Sequence, residues 1–315
     1  MIETVLGPVP AEPLGATSMH EHVLSDAGGL GIPAQPDVPA DDPALDDPEL
    51  AAAELGRAKA AGLRTVVDPT VWGFGGPDPR LADVSRASGV QIVAGVGAYL
   101  PRTRPAWLRE LDEEALAARF RSARLNHLPG CDFRAGVVGV LAPGLPLEDE
   151  DERLLRAGAA VAAETDSAAI VRLDPRRRDG PELLELMAAA GLPADRVVLS
   201  NVDGYARDQA ALEELAAAGA TLKWCFGYET PPRPGLVGAT DAERADALCR
   251  LLAAGHRRQV LACGIWTKAA LHGRGGFGYD HLGSAVLPML RERGLGEPEI
   301  EELLVGQPAR LLNRG

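Results

Sequence analysis

The chain has 315 residues, 46% of them hydrophobic and 24% charged, with a formal net charge of −13, the composition of a globular protein with a full core. Such acidity makes it a poor partner for nucleic acid or an anionic membrane, because Lys and Arg neutralising phosphates drive that binding. No apolar run approaches the roughly 18 residues of a membrane-spanning helix, and the N-terminus MIETVLGPVP has neither the basic nor the apolar region of a signal peptide.

Short apolar runs of strand length recur along the chain, at 16–19, 64–71, 91–98, 135–142, 168–173, 196–202, 220–226 and 260–265. Runs of this kind are buried on both faces, as in parallel sheets. Between the first two lies 27–49, AGGLGIPAQPDVPADDPALDDPE, rich in Pro, Gly and Asp and predicted to be an extended loop. A helix is predicted over 50–61, and further stretches of helical periodicity follow at 112–124, 148–164, 181–190, 207–218 and 241–254. The acidic run from Glu148 to Glu152 places carboxylates in a first helical turn, where the helix dipole favours them, and reads as a solvated helix start. Strand and helix alternating eight times predict a (β/α)8 TIM barrel forming one domain over 1–315. Cys131, Cys225, Cys249 and Cys263 show no CxxC spacing, so reduced thiols and a cytoplasmic location are expected.

In such a barrel the site is built where the strands end. The first strand ends in His20-Glu21-His22. Alternation sends both imidazoles to the same side, an arrangement that suits a divalent metal. Two structural histidines would give the same spacing, and HEHVL is not the HExxH of metalloproteases.

The segment TVLGPVPAEPLGATSMHEHVLSD resembles the N-terminus of the phosphotriesterase family of the amidohydrolase superfamily. The likeness continues through TVVDPTVWGFGGPDPRLADVSRASGVQIVAGVGAYLP, RAGVVGV, GLPADRVVLSNVD, GGFGYDHL, VLPMLRERG and the closing QPARLL. The resemblance implies the barrel, often as a homodimer. It also implies two divalent metals, held by HxH on the first strand, a carbamylated Lys or Glu on the fourth, a His on each of the fifth and sixth, and an Asp on the eighth. Only the first strand keeps its ligands, His20 and His22. The fourth-strand position falls on Val140 or its neighbour Gly139, the fifth on Arg172, the sixth on Asn201 and the eighth on Gly264. Lysine occurs only at 59, 223 and 268, none of them on the fourth strand, and His127, His256, His272 and His281 lie outside the fifth and sixth. A guanidinium at Arg172 also repels a dication.

The expected pocket lining is His20, His22, Asp68, Trp72, Tyr99, Arg172, Asn201, Asp203, Lys223, Cys225 and Trp266. Its leading reading is a metal-independent enzyme without cofactor. His20, His22, Arg172 and Asn201 would be catalytic, and Trp72, Tyr99, Asp203, Lys223 and Trp266 would bind substrate. Arg172 would grip a carboxylate or phosphate, and a neutral His would serve as general base. The reaction would be an elimination, cyclisation or hydrolysis on a small anionic metabolite. A second reading keeps one zinc at His20 and His22, with Cys225 or Cys263 as thiolate ligand, in a lactonase- or esterase-type hydrolase. A third is an inactive binding subunit. The Gly273–Gly278 stretch GRGGFG follows the eighth strand, so it reads as a structural loop rather than a dinucleotide cradle. Of 32 basic residues 29 are Arg, which with the abundance of Ala points to a GC-rich genome and a specialised biosynthetic setting.

Overall fold

The apolar runs become strands because both of their faces are covered. The computed structural model describes residues 1–26, 44–174, 176–228 and 238–313. Its main sheet has eight parallel strands in sequential order: β1 Thr17–Ser18, β2 Thr65–Asp68, β3 Gln91–Ala98, β4 Val137–Leu141, β5 Ala169–Arg172, β6 Val197–Ser200, β7 Thr221–Cys225 and β8 Gln259–Ala262. Each lies within a predicted run or within one residue of it. The Met19 amide donates to the Leu261 carbonyl at 2.9 Å, joining β1 to β8 and closing the barrel.

Alternation then sorts the side chains. Val67, Val93, Ile170, Val198 and Val260 form the interior cluster. Val66, Ile92, Val171, Leu199, Leu222 and Leu261 face outward into the shell of helices. That shell includes Pro48–Ala60, Leu81–Ser88, Glu113–Leu125, Asp149–Glu164, Gly180–Ala189, Gln209–Ala217 and Asp241–Ala253. Ile2, Leu14, Leu311 and Leu312 join the interior cluster from the chain ends, and the Gln307 amide donates to Thr221 Oγ1 at 2.9 Å. The barrel is therefore plugged at the N-terminal ends of its strands.

Two expectations need correction. Residues 27–43 of the predicted 27–49 loop lie outside the described residues, but its last part is ordered. Ala44–Leu45 pairs antiparallel with Ser25–Asp26. The first outer helix starts at Pro48, because Asp47 caps it by accepting from the amides of Glu49 and Leu50, each at 3.0 Å. The acidic run does open a helix, yet it is not wholly solvated. Asp151 is buried, where Arg104 donates to its carboxylate at 2.7 Å and to the Ala142 carbonyl at 2.9 Å. That ion pair ties the loop after β3 to the helix after β4.

Candidate active site

At the C-terminal ends of the strands the apolar lining gives way to polar groups. In register, Ser200 pairs with Arg172 on one side and Lys223 on the other. Registered residues of parallel strands share a face, and Val198, two residues before Ser200, points inward. Arg172, Ser200 and Lys223 thus form one inward-facing row above Ile170, Val198 and Thr221, with Val260 level with Lys223. Cys225 continues β7 above Lys223, and Lys223 Nζ donates to Cys225 Sγ at 3.0 Å. Neither Arg172 nor Lys223 is ion-paired with a carboxylate among the described residues.

His20 and His22 lie just beyond β1, both buried, with their Nε2 atoms 3.3 Å apart. His22 Nδ1 is 2.8 Å from Thr70 Oγ1. Asp68 closes this chain. Its carboxylate accepts from the Val23 amide at 3.1 Å and the Thr70 amide at 2.9 Å. Burial raises the Asp68 carboxyl to about 6, with the Thr70 and Val23 hydrogen bonds opposing, so it is mainly a carboxylate at pH 7. Of the two facing Nε2 atoms one donates and the other accepts. His20 Nδ1 is a buried atom without a hydrogen-bond partner. Burial lowers His20 well below its usual value, helped by the charges of Lys223, His22 and Arg172. His22 falls to about 3, through burial and then Lys223. Both imidazoles are neutral at pH 7.

The remaining predicted site residues divide. Asn201 directly follows β6 in a left-handed backbone conformation, φ +69°, which Asn tolerates better than most residues. It begins the single helical turn Val202–Tyr205, where the Asp203 carboxylate accepts a long 3.4 Å bond from the Cys225 amide. Tyr99 and Trp266 pack against Phe74, and Phe74 lies against His22 with ring centres 4.3 Å apart. Trp266 also stacks near Tyr228, and its amide donates to the Tyr228 hydroxyl at 3.1 Å. Trp72 is not brought to the histidines by any ring contact: its indole lies against Trp107 at 5.2 Å and Phe120 at 6.0 Å. In the GRGGFG stretch the Gly273 amide, like that of His272 before it, donates to the buried carboxylate of Glu54, at 2.7 and 2.8 Å. Ser200, Thr70, Phe74 and Tyr228 escaped the sequence reading. Ser200 alone had a readable signal, its two-residue offset from Val198.

The donors do not fit the two metals that the family resemblance implies. Val140 belongs to the apolar interior. Arg172 and Asn201 offer a cation and an amide where imidazoles are needed. Gly264 has φ +66°, and a Cβ there would come within 2.7 Å of Cys225 Sγ, so an aspartate has no room unless Cys225 moves. Among the described residues no group of three or more His, Cys, Asp and Glu side chains converges as a metal site. For a single zinc, Cys225 Sγ already accepts from Lys223 Nζ. Burial pushes the Cys225 thiol up to about 11, and Cys263 belongs to the outward-facing core with its thiol raised well above the usual range.

The sequence profile of the phosphotriesterase family matches residues 1–312. The chain belongs to that family. The N-acetyltaurine hydrolase of Salmo salar is 29% identical to this phosphotriesterase-family chain, over 99% of it and 97% of the relative. Among solved structures, a resiniferatoxin-binding protein from Rhodobacter sphaeroides superposes with a TM-score of 0.94 at 30% identity, covering 99% of this chain and 94% of that one. A mutant of a PTE-like lactonase from Deinococcus radiodurans gives 0.82 at 27% identity, over 99% and 100% of the two chains. Family membership and the TIM barrel therefore stand together, and the hydrolases among these relatives set the reaction class to consider.

Proposed function

We propose that this member of the phosphotriesterase family is a metal-independent hydrolase acting by acid–base chemistry on a small anionic amide, ester or lactone. The observation that carries the reading is the Thr70–His22–His20 chain, which ends on a neutral, buried His20 whose Nδ1 has no hydrogen-bond partner. Such an imidazole is a general base. Arg172 and Lys223 supply positive charge in the same pocket, as their joint effect on His20 indicates, and a guanidinium binds carboxylate, sulfonate or phosphate oxygens in pairs. Asn201 would donate to the oxygen on which charge develops. Tyr99 and Trp266, packed on Phe74, would form an aromatic wall beside the substrate. The Salmo salar relative is named for an N-acylated sulfonate, which is an anionic amide and belongs in the first substrate set.

The test is a panel of N-acyl amino acids, N-acyl sulfonates and lactones assayed with a chelator present. Turnover should survive the chelator. It should fall by about 100-fold or more in His20→Asn, the usual contribution of a general base, and KM should rise in Arg172→Met. Turnover that the chelator abolishes and zinc restores would overturn the reading.

A further inference from the structure

Three lysines in a chain with 29 arginines invite a question about the one placed inside the barrel. Lys59 is exposed on the outer helix Pro48–Ala60, and Lys268 is paired with Asp46 at 2.9 Å. Lys223 is buried, points into the barrel, and has a thiol rather than a carboxylate as its hydrogen-bond partner. A solvated surface charge gains little from Lys over Arg. A buried primary amine differs from a guanidinium in being a nucleophile toward carbonyl carbon.

The neighbours of Lys223 suit that chemistry. In the strand register Arg172, Ser200 and Lys223 stand side by side, on strands spaced about 4.8 Å apart. Ser200 Oγ is fully buried and has no hydrogen-bond partner. An unpartnered hydroxyl inside a protein costs stability unless a ligand completes it. The row therefore offers a carboxylate clamp, a hydroxyl and an amine in sequence. That order matches an oxo acid, whose carbonyl carbon sits beside its carboxylate.

We propose that Lys223 forms an imine with the carbonyl of a small oxo acid whose carboxylate is held by Arg172. The assignment deepens the anion-binding reading above and rests on it. The Lys223 ammonium first releases a proton, which frees the Nζ lone pair to form a bond to the carbonyl carbon while the C=O electron pair moves to oxygen. That oxygen, with the Ser200 hydroxyl beside it, takes up the released proton and a second one shed by the nitrogen, and its loss as water gives the protonated imine. In sum an ammonium and a carbonyl become an iminium and one water, so charge and atoms balance without an oxidant or reductant.

The experiment incubates the wild-type protein with pyruvate and cyanoborohydride, which reduces an iminium to a stable secondary amine, and locates the adduct by intact mass and peptide mapping. Acetone, which lacks the carboxylate, is the control. One adduct per chain is expected, on Lys223 rather than Lys59, Lys268 or the N-terminus. Its rate should fall about tenfold or more in Arg172→Met, the loss of a charge-assisted hydrogen bond, and about as far when acetone replaces pyruvate. Mapping on the wild type makes the result independent of whether Lys223→Met folds; Lys223→Arg keeps the charge and should abolish the adduct. Adducts spread evenly over the amines, or a Lys223 adduct as fast with acetone as with pyruvate, overturn the assignment. If pyruvate raises the melting temperature in an Arg172-dependent way yet leaves no adduct on Lys223, the imine is wrong and the anion site stands. If pyruvate neither binds nor reacts, both fall.

Discussion

His22 shows how much of this site is decided by single side chains. It is enclosed by Phe74, Thr70 and His20, and burial, then the Lys223 charge, disfavour a positive charge on it. Its folded pKa lies near 3 against an ordinary value of 6.5, and His20 is lowered as well. A histidine depressed in the fold takes up its proton on unfolding, so its contribution is intact above about pH 6.5 and is lost as pH falls toward the folded value. Each such imidazole removes up to about 1.4 kcal/mol of stability per pH unit below 6.5. Urea unfolding between pH 7 and 5 should show this slope, and His22→Gln should flatten it. An unchanged slope would mean that His22 is protonated in the fold. The His20–His22 pair was legible in the sequence because two-residue spacing dictates a shared side. The partners of that pair were not, because Thr70 and Phe74 reach it from the loop after β2, where no periodicity operates. Trp72 shows the same limit: position after a strand end does not say which way a ring turns.

At the scale of elements, Glu21 has the most consequential place. It lies between the two histidines in sequence but points elsewhere. Its buried carboxylate accepts from the Ser18 hydroxyl at 2.5 Å, the Cys263 amide at 2.7 Å and the Ile265 amide at 2.9 Å. Glu21 thereby staples the end of β1 to the residues after β8, across the seam of the barrel, and fixes the direction from which His20 and His22 enter the pocket. Burial raises its own pKa against those three hydrogen bonds. Glu21→Ala would leave buried amides unsatisfied and should cost about 2–4 kcal/mol. It should also speed hydrogen exchange of the Cys263 and Ile265 amides relative to the rest of the barrel. Full stability in that variant would show that the seam closes without the staple. The eight strands were readable because two-sided burial writes continuous apolar runs. The Asp151–Arg104 pair, set by one tertiary partner, changed the solvent exposure inferred from composition, and the local Asp47 cap before Pro48 moved a helix start.

For the whole molecule, the charge of −13 and the positive row inside the barrel pull in opposite directions. A negative exterior slows the approach of anions, so specificity for them must come from short-range contacts at Arg172 and Lys223. Among the described residues no helix is long and apolar enough to cross a membrane. The family fold is kept, and at the positions where the family resemblance implies the missing metal ligands the chain has Val140 or Gly139, Arg172, Asn201 and Gly264; we propose that these serve other chemistry. The replacements are mutually consistent: Gly264 leaves the space that Cys225 fills, and Cys225 holds Lys223. Those positions could be read one at a time, whereas the Arg172–Ser200–Lys223 row needed the strand register to become visible.

The most direct test of this rebuilt site is the metal content of protein produced in medium supplemented with zinc and manganese and purified without chelator. The expected result is far less than one metal per chain, unchanged in His20→Asn and His22→Asn. One or two equivalents of metal that those two variants remove would contradict it.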